Sequence, residues 1–168
     1  MNEGPRLIVL DTNVVLDLFH FRDPAAQPLR MALASGQLRA AVTADIVDEW
    51  VRVLGYACFS LSAEEQLALR SQYQALCVFA TEVRPVGVPR CADPDDQKFL
   101  ELAAALGVTL VSKDRALLSL ARRCASRFAI MTPAMMSRER AVRSDDRQAD
   151  ARRFAHSQHG GVRDPALD

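Results

Sequence analysis

The run Leu7-Ile8-Val9-Leu10, leading directly into Asp11-Thr12-Asn13, constrains the fold more than any other stretch of the chain. Four apolar residues are too few for a helix, and with β-branched types among them they read as a buried parallel strand. That strand ends in a carboxylate. In an open parallel α/β sheet, ligands gather beyond the carboxyl ends of the strands, so Asp11 stands where chemistry usually sits. Val108-Thr109-Leu110-Val111, followed by Ser112-Lys113-Asp114, is a second compact apolar run ending in small polar and acidic residues.

The segments between these runs alternate. Val14 to Phe21 begins a short helix, and Asp23-Pro24 starts another that Ser35-Gly36 ends. Leu38 to Val42 reads as a second strand. Thr43 is the N-cap of a helix predicted over Ala44 to Ala57, with Ile46, Val47, Trp50, Val51 and Leu54 at helical spacing. Ser62-Ala63-Glu64-Glu65 resembles a capping box opening a helix to about Ala75. Val78 to Val83 is a candidate third strand, and Pro85 to Pro94 a proline-rich loop. Asp95 to Leu106 is helical, with Phe99, Leu100, Leu102, Ala103 and Leu106 on its apolar stripe and Gly107 as terminator. One helix to about Cys124, a strand over Phe128 to Met131 and a short helix after Pro133 complete the pattern. The alternation predicts an α/β fold: a three-layer α/β/α sandwich around a central, mainly parallel sheet. It also predicts one domain over residues 1–136. The charged segment 137–168 reads as an exposed helix at most, then a flexible end.

At 168 residues with nearly half of them apolar, the chain can bury a substantial core. The 21 basic and 21 acidic residues cancel, so no global field draws it to nucleic acid or membrane. Only Lys98 and Lys113 are lysines; the arginine excess suits phosphate contacts, and equally a high-GC genome. Cys58, Cys77, Cys91 and Cys124 show no C-x-x-C spacing, and Met1 to Arg6 does not read as a secretory signal. The expectation is a reduced, cytoplasmic protein without a membrane span.

Four acids converge on the carboxyl edge in this reading: Asp11, Glu49, Asp96 and Asp114, with Asp93 as a fifth candidate. Each has a plainer reading. Asp11 and Asp114 suit helix N-caps, Glu49 a solvated helix face, and Asp93, Asp95 and Asp96 the positive end of a helix dipole. Jointly the pattern demands more. Two carboxylates about 5 Å apart repel by about 3 kcal/mol at an effective dielectric near 20. A cluster of four therefore needs protons or a cation, and oxygen-only ligands point to Mg²⁺ or Mn²⁺. Such ions commonly act on phosphates.

Leu10-Asp11-Thr12-Asn13, Glu49, the stretch Asp93-Pro94-Asp95-Asp96-Gln97-Lys98-Phe99-Leu100-Glu101-Leu102-Ala103, and Leu110-Val111-Ser112-Lys113-Asp114 with Leu117-Leu118 resemble, in order, the motifs of a PIN domain. The likeness is nearest to toxin components of bacterial toxin–antitoxin systems related to VapC, and it covers about residues 6 to 135. It implies a metal-dependent endoribonuclease. Asp11, Glu49, Asp96 and Asp114 would be the catalytic and metal-holding acids, and Asp93 would cap its helix or join the metal shell through water. Ser112, with Thr12 or Asn13, would orient a carboxylate or the attacking water. The implied chemistry is hydrolysis of RNA phosphodiesters by water activated at one or two Mg²⁺ or Mn²⁺ ions. Implied partners are an RNA substrate, a small antitoxin and a second copy of the chain. The aliphatic faces around Trp50 to Phe59 and Leu67 to Cys77 are candidates for dimer or antitoxin contact, or simple core.

Two other function classes fit the same acids: a non-catalytic RNA- or protein-binding regulator, and a structure-specific DNA nuclease. His156 and His159 lack the companions of a zinc site. Arg122, Arg123, Arg127, Arg138, Arg140 and Arg143 form either a phosphate-binding edge or a solvated surface.

Overall fold

A computed structural model describes residues 4–81, 83–84 and 87–141. The chain divides into units at 1–136 and 137–168, and every labelled element below belongs to the first. The expectation for 137–168 lies, beyond residue 141, outside the described residues, as do His156, His159 and Arg143.

Five strands form one all-parallel sheet: β1 (Arg6–Leu10), β2 (Leu38–Val42), β3 (Cys77–Phe79), β4 (Thr109–Val111) and β5 (Ile130–Met131). Their order is β3-β2-β1-β4-β5, so β1 is central. Ile8 of β1 pairs with Ala40 of β2 and with Thr109 of β4. Ile8, Val9, Leu10, Leu110 and Val111 are fully or almost fully buried, as near-continuous apolar strands covered on both faces must be.

The helices include α1 (Thr12–Phe19), α2 (Gln27–Ala34), α3 (Ala44–Leu54), α4 (Ala63–Gln74), α5 (Gln97–Leu106), α6 (Arg115–Leu118) and α7 (Ala121–Cys124), and the chain is helical again from 133 to the last described residue, 141, as expected after Pro133. With crossovers of the usual right hand, the excursion from β1 through β2 to β3 assigns α1 to α4 to one face, and the return to β4 and β5 assigns α5 to α7 to the other. The packing agrees: α1 touches α2, α3 and α4, while α5 lies on β1 and β4. This is the three-layer α/β/α sandwich. Trp50 of α3 and Tyr73 of α4 meet edge to face at 5.9 Å in the core, each with 1% exposure.

Several boundaries differ from expectation for local reasons. The helix predicted to reach Ala57 stops at Leu54, because Gly55 caps it and a short 3-10 turn, Ala57–Phe59, follows. Thr43 occupies the N-cap position without a side-chain hydrogen bond. The Ser62 capping box is complete: the Ser62 hydroxyl accepts from the Glu65 amide at 3.2 Å, and Glu65 accepts from the Ser62 amide at 2.8 Å. β3 covers three residues of edge strand, shorter than predicted and begun one residue earlier. The single helix expected before Cys124 is two short ones. Gly107 ends α5 at φ 63°, a left-handed conformation that glycine adopts without penalty.

Candidate active site

The strand order fixes where a site can form. The chain leaves β1 toward β2 on one side and later returns to β4 on the other, so the crevice beyond β1 and β4 is the topological switch point. Register pairs Leu10 with Val111, which brings the following residues, Asp11 and Ser112, together at that crevice. The Ser112 hydroxyl donates to Asp11 Oδ2 at 2.7 Å and accepts from the Asp114 amide at 2.9 Å. One fully buried hydroxyl thus ties both strand-end acids into a single arrangement.

Asp11 and Asp114 are also caps. Asp11 Oδ1 accepts from the Asn13 amide at 3.3 Å, and Asp114 Oδ1 accepts from the Ala116 amide at 2.6 Å. The capping and cluster readings are therefore compatible, since each carboxylate has a second oxygen. Burial raises the Asp11 carboxyl above its ordinary range against the hydrogen bonds from Ser112 and Asn13, and Asp114 and Glu49 add repulsion.

Glu49 lies in α3, beside the buried stripe, with its side chain 12% exposed. The Thr12 hydroxyl donates to Glu49 Oε1 at 2.6 Å, linking α1 to α3 across the mouth of the site. Its other oxygen meets the Lys98 ammonium, which also bonds the Asp95 carbonyl at 2.5 Å and lies over the Phe99 ring. Thr12 thus orients a carboxylate. The exposed Asn13 contributes its backbone amide.

Asp96 ends the 3-10 turn Pro94–Asp96 that opens α5. Burial pushes its carboxyl up to about 7, with further repulsion from Asp11, Asp93, Asp114 and Glu49 in that order. Three acids from other parts of the chain, and Asp93 of its own turn, thus act on Asp96. Asp93 is an exposed cap, accepting from the Asp95 amide at 2.9 Å. Cys91 sits in the same field: burial raises its thiol, and Asp96, Asp114 and Asp93 contribute.

Among the described residues, Lys98, and Arg52 at 4.0 Å, pair with Glu49, and no cation pairs with Asp11, Asp96 or Asp114. The negative charge at this edge is therefore under-compensated, and every carboxylate donor is a hard oxygen. Both features fit a hard divalent cation. The fit is to an open site: among the described residues no three His, Cys, Asp or Glu side chains form a ready ligand cage. The elements bring Asp11, Glu49, Asp96 and Asp114 within electrostatic reach of one another without closing them around a point.

Lys98 is the residue that sequence reasoning passed over as a participant. Its partner lies 49 positions away. The available signal was scarcity: both lysines of the chain hold acids, Lys98 on Glu49 and Lys113 on Asp17. The candidate arginine edge divides, since Arg127 is engaged with the Gly87 carbonyl while Arg122 and Arg123 are exposed.

No helix among the described residues is long and apolar enough to cross a membrane. No curated protein matches the chain in sequence. Among solved structures it is similar to a chain of VapBC2 from Rickettsia felis, crystallised with a DNA fragment from their promoter. The TM-score is 0.50 at 12% identity, over 74% of this chain and 96% of that one. At this identity the likeness concerns the fold. The PIN domain family pattern matches residues 7–116, from the first buried strand through Asp114 and into α6. The match spans most of the chain and includes every acid described above, and the chain belongs to the PIN domain family.

Proposed function

We propose that the chain is a divalent-metal-dependent endoribonuclease, the toxin of a type II toxin–antitoxin pair. The observation that carries this reading is the convergence of acids at one edge: Ser112 ties Asp11 to Asp114, and burial, then Asp11, Asp93, Asp114 and Glu49, raise the Asp96 carboxyl to about 7. Family membership supports nuclease chemistry. The structural likeness to a VapBC complex supports an antitoxin partner.

Asp11, Glu49, Asp96 and Asp114 would hold one or two Mg²⁺ or Mn²⁺ ions, with Asp93 placed to cap the turn beside them. When bound, such an ion supplies charge neutralisation at the scissile phosphate and a more acidic water. The chain's own residues prepare the site. Ser112 fixes the Asp11 carboxylate, and Thr12 fixes Glu49 from the opposite side. Lys98 balances Glu49 and presents a cation at the edge where a phosphate would arrive. The buried floor of β1 and β4 keeps bulk water to one side of the acids. Exposed Val51, Tyr56, Leu67 and Phe79, on and between α3, α4 and β3, offer apolar surface for an antitoxin or a second copy of the chain.

Incubation of the purified chain with single-stranded RNA in Mg²⁺, Mn²⁺ or EDTA tests the reading. Cleavage is expected with either metal and not with EDTA, and Asp11→Asn abolishes it. The Ser112 hydroxyl can donate or accept, so asparagine fits at position 11 without a buried orphan. Metal-independent cleavage, or undiminished cleavage by D11N, would defeat the assignment. Cleavage of DNA alone would favour the DNA-nuclease class, and binding without cleavage the regulatory one.

A further inference from the structure

An open groove of about 520 Å³ is lined by Asn13, Leu16, Asp17 and Phe21, from α1 and the residues just after it, and by Lys113, Asp114 and Arg115, which follow β4. We infer that this groove seats the stretch of single-stranded RNA flanking the scissile phosphate, with Arg115 and Lys113 on backbone phosphates and Phe21 stacked on a base. The inference rests on the endoribonuclease reading and adds to it a substrate-positioning surface outside the acids.

Continuity with the acids is the first argument. Asp114 belongs both to the acidic group and to the groove, and Asn13 follows Asp11 by two residues. A strand whose phosphate lies at the acids therefore has this groove as an adjoining path. Asn13 is the second of the eight residues of α1, and Phe21 lies two residues past its end. At 1.5 Å per residue that helix is roughly 12 Å long, about three nucleotide steps of a stacked strand.

The chemistry of the walls is the second argument. Asp17 is buried, and its carboxylate pairs with the Lys113 ammonium, so a charge with little solvent is compensated and the lysine is held against the groove. Arg115 is exposed, and no ion pair engages it among the described residues. A guanidinium in that state is suited to bidentate phosphate contact. Phe21 is 58% exposed, yet it packs in a cluster of three rings, with His20 at 4.7 Å and Phe59 at 6.0 Å. A fixed, solvent-facing aromatic beside cations is the recurring composition of single-strand binding surfaces. A purely apolar protein-docking groove would have no use for the cations.

The test is fluorescence anisotropy of a labelled twelve-nucleotide oligouridylate on the full chain in EDTA, with Phe21→Ala and Arg115→Ala as exposed variants. Each is expected to weaken binding by about tenfold, and R115A to flatten the salt dependence by roughly 0.7 in the log–log slope. Removing Lys113 would strand Asp17, so that position is read in the double variant Asp17→Asn/Lys113→Met, expected to show a similar loss. Hydrolysis of bis(p-nitrophenyl) phosphate with Mn²⁺, a diester without flanking nucleotides, separates this inference from the one beneath it. F21A should retain the wild-type rate on that diester while losing it on RNA. Oligouridylate affinity unchanged in both single variants overturns the groove assignment, whatever the acids do, and leaves the groove to a protein segment. A wild-type chain inert toward the diester and toward RNA, with binding still dependent on Phe21 and Arg115, defeats the nuclease reading and upholds the groove.

Discussion

Asp96 illustrates what a single residue at this edge experiences. Its carboxyl is raised to about 7, first by burial and then by Asp11, Asp93, Asp114 and Glu49. In the unfolded chain the same group loses its proton near pH 4. Between about pH 4 and 7 the folded state therefore binds more protons than the unfolded one, and stability falls as pH rises through that window. Above it the dependence from this group flattens. The melting temperature of the metal-free chain should drop from about pH 5 to pH 7.5, and Asp96→Asn should remove most of that drop. A wild-type melting temperature that rises across the window would contradict the assignment. Asp11, raised by burial, contributes in the same direction. These carboxylates were legible in the sequence because each ends a buried strand, flanks an apolar stripe or opens a helix. Lys98 was not, since nothing local to Gln97-Lys98-Phe99 announces an acid on another helix.

Elements were legible where local chemistry sets them. Leu38–Val42 matches its predicted bounds, because a mostly buried run between Gly36 and the helix N-cap at Thr43 leaves the strand little freedom. The Ser62 box is likewise local, a hydroxyl and a carboxylate three residues apart satisfying each other's amides. Ser62→Ala should cost about 1 kcal/mol and lower the melting temperature by roughly 2–4 °C; thermal denaturation followed by far-ultraviolet circular dichroism measures it. No change would mean that α4 is held by packing alone. Edge strand β3 is shorter than predicted because, among the described residues, it pairs with β2 alone, and that pairing, not its own β-propensity, sets its length. The Arg115–Cys124 region was over-read for the opposite reason. Its composition favours helix throughout, while the Leu120 amide turns early to the Leu117 carbonyl and breaks the run.

For the whole molecule, the decisive fact is topological. Strand order β3-β2-β1-β4-β5 puts the reversal of direction beside the two strands that end in acids, and the crossovers deliver α3 and α5 to the same edge. Sequence patterning could give the strands and their parallel sense; it could not give their order, which belongs to long-range pairing of β1 with β4. A neutral chain with 21 charges of each sign thereby acquires a local surplus of negative charge. The account depends on that surplus being a cation site. Calorimetric titration of the metal-free chain with Mn²⁺ tests it most directly, with D11N and Asp114→Asn measured alongside. The expected result is saturable binding by the wild type at one or two sites, weakened at least tenfold in both variants, and tighter at pH 8 than at pH 6 because protons on Asp96 compete. Binding that is absent, or equal in all three chains, would contradict the central claim.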